Sequence, residues 1–275
     1  MRDTGLTARM MVAGTILFGF YAAMAAFLLQ AFGSGALPFV LAGSLLFVGV
    51  QYKVGKWAAL KSVGAVDLPE DDFRELHDRV ERLADDMGID KPRLMIAQMG
   101  TPNAFAVGRK GAGTVVISEE LLHTLTVAEL DGVLAHELAH IRNRDVVMMV
   151  LGQGVASMLA ILAQWFVLLA GDNFIVDYVV SIVVGTIVQM LVMIFVMAIA
   201  RYREYIADRD AADEVGGESL ARALEKISQR SEQIDDNEID SQVSALCIFG
   251  SDRGLLAKLF ASHPPVEKRI ERLRT

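Results

Sequence analysis

Four long apolar runs without a charged residue alternate with polar stretches along this chain of 275 residues. The runs cover residues 10–32, 35–52, 146–170 and 178–200. Three of them are long enough to cross a hydrocarbon core about 30 Å thick, whereas the run 35–52 is shorter and contains a proline. Burial in a large soluble core is the alternative for the last two runs, and their length argues against it. The pattern therefore predicts four membrane spans, arranged as two hairpins.

The polar stretches show both helical and strand-like periodicity. Residues 69–87 begin with proline and acidic residues and continue with apolar positions at helical spacing. Short apolar runs bounded by glycine and proline predict strands at 94–97, 104–107 and 114–117. The chain is 53% hydrophobic but only 7% aromatic, which is typical of a membrane protein with a substantial polar part. We therefore predict a mainly α integral membrane protein with four transmembrane helices and a cytoplasmic α+β domain that contains a small β-sheet.

The apolar runs also divide the chain into parts. Residues 1–55 form the first transmembrane hairpin, with spans at about 10–32 and 35–52, and residues 146–200 form the second. The polar domain is then assembled from residues 56–145 and 201–275.

Lysine and arginine predict the orientation of the spans. Basic residues precede the first and third runs and follow the second and fourth, whereas the connections near 33–34 and 171–173 carry none. By the positive-inside rule, both termini and the polar parts lie in the cytoplasm. The chain is thus predicted to be a multi-pass protein of the cell (inner, or cytoplasmic) membrane. Its single cysteine, Cys247, agrees with a reducing compartment.

Candidate chemistry is concentrated in residues 136–140, which read His-Glu-Leu-Ala-His. Thr126 and Glu129 form a capping-box pattern that predicts a helix through this segment. On a helix, His136 and His140 share one face and can reach one zinc ion, with Glu137 placed to take a proton from a metal-bound water. The alternative is an accidental match in an ordinary amphipathic helix.

A catalytic zinc needs a third protein ligand, and Glu204 is the best placed candidate. His140 lies about 9 Å before the third apolar run and Glu204 about 6 Å after the fourth, if both segments are helical. A short connection makes these runs antiparallel neighbours, so both ends emerge on the same side. Asp208 shares a helix face with Glu204 and is predicted to accept a hydrogen bond from the far nitrogen of a metal-binding histidine. The alternative is that Glu204 is a solvated acid paired with Arg201 or Arg203.

Four motifs together resemble those of the HtpX-type membrane zinc metalloproteases, gluzincins related to the CAAX prenyl proteases. The first is the HExxH segment at 136–140, and the second is Arg-Glu-Tyr-Ile-Ala-Asp at 203–208, which follows the second pair of apolar runs. The segment 101–108 is similar to the family's PNAFA segment, and 262–270 is similar to its HPP segment near the C-terminus. The resemblance extends from about residue 69 to the end of the chain.

This resemblance implies an integral membrane zinc endopeptidase with a zincin-like protease domain and one zinc ion (Zn²⁺) per chain. It implies that His136, His140 and Glu204 are the metal ligands and that Glu137 is the general base acting on a zinc-bound water, the nucleophile. It also implies a place in stress response and protein quality control. The substrates would be misfolded or damaged membrane proteins or other unfolded polypeptides, cut at the cytoplasmic face of the lipid bilayer.

Other residues are weaker candidates for the site. His263 either donates a hydrogen bond to the oxyanion or caps the turn before two prolines, and Arg269 anchors the same segment through a carboxylate. The edge of the small sheet can pair with an extended substrate, which would place Asn103 and Phe105 in the substrate-binding cleft; the alternative is a plain structural hairpin. Residues 228–242 are polar and are predicted to form a loop.

Several other functions are excluded or less favoured. A net charge of −8 argues against nucleic-acid binding, and the chain has no glycine-rich phosphate loop that would form an ATP site. A prenyl-protein (CAAX-type) protease is one alternative, although that relative has a larger intramembrane chamber than four spans would build. A non-catalytic zinc-binding membrane scaffold is the other alternative.

Overall fold

A computed structural model describes residues 37–232 and 263–275, together with isolated positions before residue 37. The predicted span 10–32 lies almost entirely outside the described residues, as does the part of the polar segment 228–242 beyond residue 232. The described part is mostly helical with one small mixed sheet, which confirms the fold class at that level. That the chain has four transmembrane spans, and where its domains begin and end, remain predictions.

The chain divides into two compact units, one comprising Met1–Lys53 with Met148–Tyr202 and the other Val54–Val147 with Arg203–Thr275. Three long helices contribute to the first unit: α1 spans Leu37–Ser62, α5 spans Asp145–Ala170 and α6 spans Phe174–Val215. Among the described residues, α5 and α6 are long and apolar enough to cross a membrane. The predicted span 35–52 falls largely within α1.

Helices α5 and α6 pack closely within the first unit while much of their apolar surface remains exposed. A side-chain carbon built on Gly152 would lie 3.0 Å from Val196, and one built on Gly185 would lie 2.5 Å from Gln164. Small residues of this kind allow two membrane helices to approach each other. In contrast, Leu169 is 78% exposed, as expected for a side chain that faces lipid rather than water.

The second unit contains a four-stranded sheet in the order β1-β2-β4-β3. The predicted strands are confirmed as β2 (Arg93–Ala97), β3 (Ala104–Val107) and β4 (Thr114–Ser118). β2 and β4 are parallel, whereas β3 pairs with β4 in antiparallel fashion and forms an edge. The two-residue strand β1 (Val66–Asp67) was not predicted because it is too short to show a period.

Five further helices are described in this unit, and their bounds are α2 Arg74–Asp86, α3 Glu119–Thr124, α4 Val127–Asn143, α7 Gly217–Glu232 and α8 Val266–Leu273. Helix α2 starts at Arg74, five residues later than the predicted start at Pro69. Helix α4 is central, since it packs against α2, β3 and α7. The close contact with α7 depends on Gly132, where an added side-chain carbon would lie 2.7 Å from the backbone nitrogen of Leu220.

Candidate metal centre

The HExxH segment lies in the interior of α4, and local sequence explains where this helix begins and ends. Thr126 and Glu129 form the predicted capping box at its N-terminus. At its C-terminus, Arg144 adopts the left-handed conformation with φ 57° and stops the helix. Because α4 packs against both the sheet and α7, His136 and Glu137 are buried, with exposures of 2% and 3%.

The polar continuation of α6 brings two acids towards α4. Glu204 and Asp208 are one helical turn apart and are 5% and 3% exposed. The alternative in which Glu204 is a solvated surface acid is therefore wrong. Arg203, which that alternative offered as a partner, forms an ion pair with Asp145 instead.

Three potential ligands converge in this place: His136, His140 and Glu204. The Nε2 atoms of the two histidines are 3.1 Å apart, and their rings are nearly perpendicular at 87°. One carboxylate oxygen of Glu204 lies 3.5 Å from Nε2 of His136, and the other lies 3.3 Å from Nε2 of His140. The predicted set is therefore brought together by the fold.

This arrangement fits a divalent metal ion. Bonds of about 2.0–2.2 Å with tetrahedral angles place neighbouring ligand atoms about 3.3 Å apart, close to the separations among these three side chains. Oε2 of Glu204 is buried and accepts no aligned hydrogen bond from any residue that the structure describes, which suits an atom whose lone pair faces a cation. Two imidazole nitrogens and one carboxylate also match the donor types of catalytic metal sites with an open position.

Each histidine has a carboxylate behind it, on the side away from the other ligands. Nδ1 of His136 lies 3.0 Å from Asp208, the acid predicted to accept its hydrogen bond, but the two groups are not aligned as a hydrogen bond. Nδ1 of His140 lies 2.7 Å from Asp145. Asp208 in turn accepts two hydrogen bonds, of 2.9 and 2.6 Å, from the fully buried Arg269. Such carboxylates fix the ring tautomer and orient the ligating nitrogen.

Burial and these charges shift the ionisation of the cluster. Burial raises the pKa of Glu137 above its ordinary value, although the nearby His140 opposes the shift. Burial alone would lower the pKa of Arg269, but Asp208 and Glu204 outweigh it and raise that pKa above the usual range. Burial would likewise lower the pKa of His136, yet Asp208 and Glu204 raise it. Arg269 is thus a permanent buried cation that balances part of the negative charge.

Of the weaker candidates, the structure brings some to the ligand cluster and not others. Nδ1 of His263 lies 2.8 Å from Oε2 of Glu204, so the fold brings His263 to the cluster. The side chain of Phe105 packs in a separate apolar cluster with Met95 and Val116, on the face of the sheet opposite the one that includes α4 residues. Asn103 is 1% exposed, and its backbone N–H donates to the Ser118 hydroxyl. The structure therefore does not bring the Phe105 side chain to the cluster.

Sequence reasoning missed Asp145 and the ion pair that it forms with Arg203. Asp145 is five residues after His140, a spacing that places two residues on different faces of a continuous helix. It reaches His140 only because Arg144 is left-handed, and arginine gives no signal for that conformation. The only visible clue was a carboxylate at the second position after the motif helix.

Comparison with known proteins agrees with the motifs. The model of peptidase family M48 matches residues 70–275. The chain is 55% identical to a protease HtpX homolog of Halobacterium salinarum over 97% of this chain and 100% of that protein. It is 38% identical to one of Persephonella marina over 78% and 79% of the two chains. The predicted resemblance to HtpX-type proteases is therefore confirmed.

A solved structure shows the same fold. The crystal structure of S. mikatae Ste24p superposes with a TM-score of 0.60, covering 98% of this chain and 66% of that chain. At 17% sequence identity this likeness supports the architecture alone. The catalytic class rests on the family match and on the relatives named above, and we conclude that this chain is a metalloprotease that belongs to peptidase family M48.

Proposed function

We propose that this protein is a membrane zinc endopeptidase that cuts misfolded or damaged membrane proteins and other unfolded polypeptides at the cytoplasmic face of the bilayer. The observation that carries the proposal is the convergence of His136, His140 and Glu204 beside the buried Glu137, within about two helical turns of apolar membrane-type segments. A place in protein quality control follows from this substrate class.

His136, His140 and Glu204 would hold one zinc ion per chain, because two imidazoles and one carboxylate leave a fourth position open for water or substrate. Zinc bound there would polarise the scissile carbonyl and acidify a water molecule. The protein's own contribution is to fix the two rings through Asp208 and Asp145 and to exclude bulk water by packing α4 into the core.

Glu137 is the proposed general base. It is 3% exposed and interacts electrostatically with His140, His136 and Glu204, so it lies close to the ligand cluster and away from bulk water. Burial raises its pKa and so strengthens it as a base, which suits a group that takes a proton from water and returns it to the leaving amine.

His263 is proposed to donate a hydrogen bond to the oxyanion that forms on the scissile carbonyl. Its Nδ1 is buried, lies beside the ligand Glu204 and has no aligned hydrogen-bond partner among the described residues. A donor of this kind typically contributes about 10²–10³ in kcat.

The His263→Ala variant should therefore retain zinc and lose roughly 100-fold in kcat, because only the transition state carries the charge that His263 would stabilise. Steady-state cleavage of an unfolded polypeptide, combined with metal analysis, checks this expectation. Loss of zinc together with activity would instead assign His263 to holding Glu204, and an unchanged kcat would remove it from the site.

An extended substrate is proposed to pair with β3. This strand is an edge of the sheet among the described residues, and it packs directly against the helix that carries HExxH. Backbone hydrogen bonds to an edge strand form with substrates of many sequences, which suits a protease that cuts unfolded chains. Asn103 directly precedes β3, and we keep it as a proposed contact with the substrate at the end of this edge. The Phe105 side chain packs in the apolar cluster on the face of the sheet opposite α4.

The prenyl-protein (CAAX-type) protease is the second candidate function, because the HtpX-type proteases whose motifs this chain shares are related to the CAAX prenyl proteases. The two functions differ in what must be recognised: a lipid-modified C-terminus in one case and an extended backbone in the other. Family membership removes the non-catalytic scaffold from consideration.

A direct comparison of substrates tests the proposal. Purified protein with zinc would be given an unfolded membrane protein and, separately, a prenylated peptide with its unprenylated counterpart. We expect cleavage of the unfolded protein and no preference between the two peptides. Cleavage that requires the prenyl group would replace the proposed substrate class with the CAAX-type alternative.

A further inference from the structure

We propose that Asp145, held in place by Arg203, is a positioning residue that sets the ring orientation and tautomer of His140 for metal binding. The inference rests on the proposed zinc site and adds a requirement that the HExxH motif does not contain. It assigns a task to a buried acid outside the ligand set and to the arginine directly before Glu204.

The hydrogen bond to His140 defines the tautomer. Oδ2 of Asp145 is 2.7 Å from Nδ1 of His140. A carboxylate can only accept a hydrogen bond, so Nδ1 must be the protonated ring nitrogen. The lone pair then lies on Nε2, which faces the carboxylate of Glu204 at 3.3 Å and Nε2 of His136 at 3.1 Å. Asp145 thus leaves the ligating nitrogen free on the side where the three ligands converge.

The backbone is bent specifically to bring Asp145 to this place. On a continuous α-helix, residues five apart are separated by about 140° around the axis, so Asp145 would point away from His140. Arg144 between the two helices has φ 57°, and among the described residues it is the one residue other than glycine with a positive φ. This conformation is unfavourable for an arginine, and it turns the chain so that Asp145 folds back beneath the histidine.

Arg203 fixes the other side of the carboxylate. Its Nε donates to Oδ1 of Asp145 at 2.5 Å, and its Nη2 contacts the same oxygen and donates to the carbonyl of Asn143 at 2.6 Å. The two oxygens of Asp145 therefore have separate partners, Arg203 on one and His140 on the other. Both members of the ion pair are largely buried, with side-chain exposures of 12% for Arg203 and 9% for Asp145.

A similar pair of residues lies behind the other histidine. Asp208 is 3.0 Å from Nδ1 of His136 and accepts hydrogen bonds from two nitrogens of Arg269, although its contact with the imidazole is not aligned as a hydrogen bond. A buried carboxylate bonded to an arginine therefore lies behind each proposed histidine ligand, and Asp145 is the one that forms an aligned hydrogen bond with the ring. A purely structural ion pair would not need to place one oxygen on the imidazole.

The test measures zinc affinity in proteins that also carry Glu137→Gln, so that no variant can digest itself. Asp145→Asn should bind zinc about 10–100-fold more weakly than its parent. Arg203 can only donate, so the amide oxygen of the introduced asparagine should face Arg203 and its NH₂ group should face His140. That NH₂ group favours the ring tautomer whose Nε2 is protonated, which cannot bind zinc. Competition with a chelator of known affinity measures the effect.

The double variant Asp145→Asn with Arg203→Met separates positioning from simple stabilisation. Without Arg203, the amide can rotate and offer its oxygen to His140, so zinc affinity should recover by several-fold although the ion pair is lost entirely. Asp210→Asn is the matched control: Asp210 is 7% exposed and bonds Asn143 and Arg142, neither of which is a proposed ligand. Its zinc affinity should equal that of the parent.

The outcomes are distinguishable. Weaker zinc binding in Asp145→Asn, recovery in the double variant and normal binding in Asp210→Asn support the role of Asp145. Equal affinity in all variants overturns it, as does an equal loss in Asp145→Asn and Asp210→Asn or a further loss in the double variant. A parent protein that binds no zinc would instead contradict the proposed zinc site itself. Melting temperatures measured with chelator present show whether each variant is folded.

Discussion

Glu137→Gln is expected to slow peptide-bond hydrolysis severely while zinc remains bound. Glutamine keeps the shape of the side chain but cannot take up a proton, so the variant loses the general base and keeps His136, His140 and Glu204 in place. The expected loss in kcat is roughly 10²–10⁴-fold. Zinc content and the rate of cleavage of an unfolded membrane protein, measured on the same preparation, check both parts of the expectation.

Glu129→Gln is the control for this substitution. Glu129 is a second buried acid on α4. Its carboxylate accepts a hydrogen bond from the backbone N–H of Thr126 in the capping box and forms a 2.7 Å ion pair with Lys226. Its replacement should lower the melting temperature and leave kcat within a few-fold of wild type, since the residue lies at the start of the helix. If Glu137→Gln retained near-full activity, or if both variants lost activity equally, Glu137 would not be the base.

Arg269→Met is expected to have the largest effect on stability. The guanidinium is fully buried, forms two hydrogen bonds with Asp208 and lies 3.4 Å from Glu204. Its removal leaves two buried carboxylates without their cation, and breaking a buried pair in this way typically lowers the free energy of unfolding by about 3–5 kcal/mol. Because Asp208 also orients His136, zinc affinity should fall as well. Thermal unfolding with chelator, followed by a zinc titration, measures the two effects separately.

Arg274→Met provides a comparison five residues further along the chain. Arg274 is 40% exposed and pairs with Glu218 and Glu225 at the surface, where such pairs typically contribute about 0–1 kcal/mol. This variant should unfold near the wild-type temperature and bind zinc normally. Equal unfolding temperatures and equal zinc affinities of the two variants would mean that the buried Arg269 contributes no more to stability than a surface arginine.

The sequence predicts local features of this fold well because they depend on neighbouring residues. The capping box at Thr126 and Glu129, the strands and the helical face shared by Glu204 and Asp208 are all confirmed as structural features. The meeting of α4 with the polar end of α6 could also be predicted, because two long apolar runs with a short connection leave few arrangements. The HExxH spacing indicated the metal chemistry, and the resemblance to HtpX-type proteases added the expected substrate class.

Features that depend on backbone detail were not predictable. The role of Asp145 requires the left-handed turn at Arg144, and no residue type in that segment signals it. Pairing of an extended substrate with the sheet edge would place Phe105 near the cleft, yet the strand register turns its side chain into the second apolar cluster. The fully buried charge of Arg269 was equally hidden, because long cationic side chains are usually exposed.

Restoration of activity by zinc is the most direct test of the proposed enzyme. Wild-type protein purified in detergent with a chelator, and then freed of it, would receive increasing zinc while cleavage of an unfolded membrane protein is followed. We expect no cleavage before addition, full activity at one zinc per chain and, in Glu137→Gln, a rate at least about 100-fold below wild type at every zinc concentration. Cleavage that persists in the chelated wild-type protein, or near-wild-type cleavage by Glu137→Gln with zinc, would contradict the zinc mechanism.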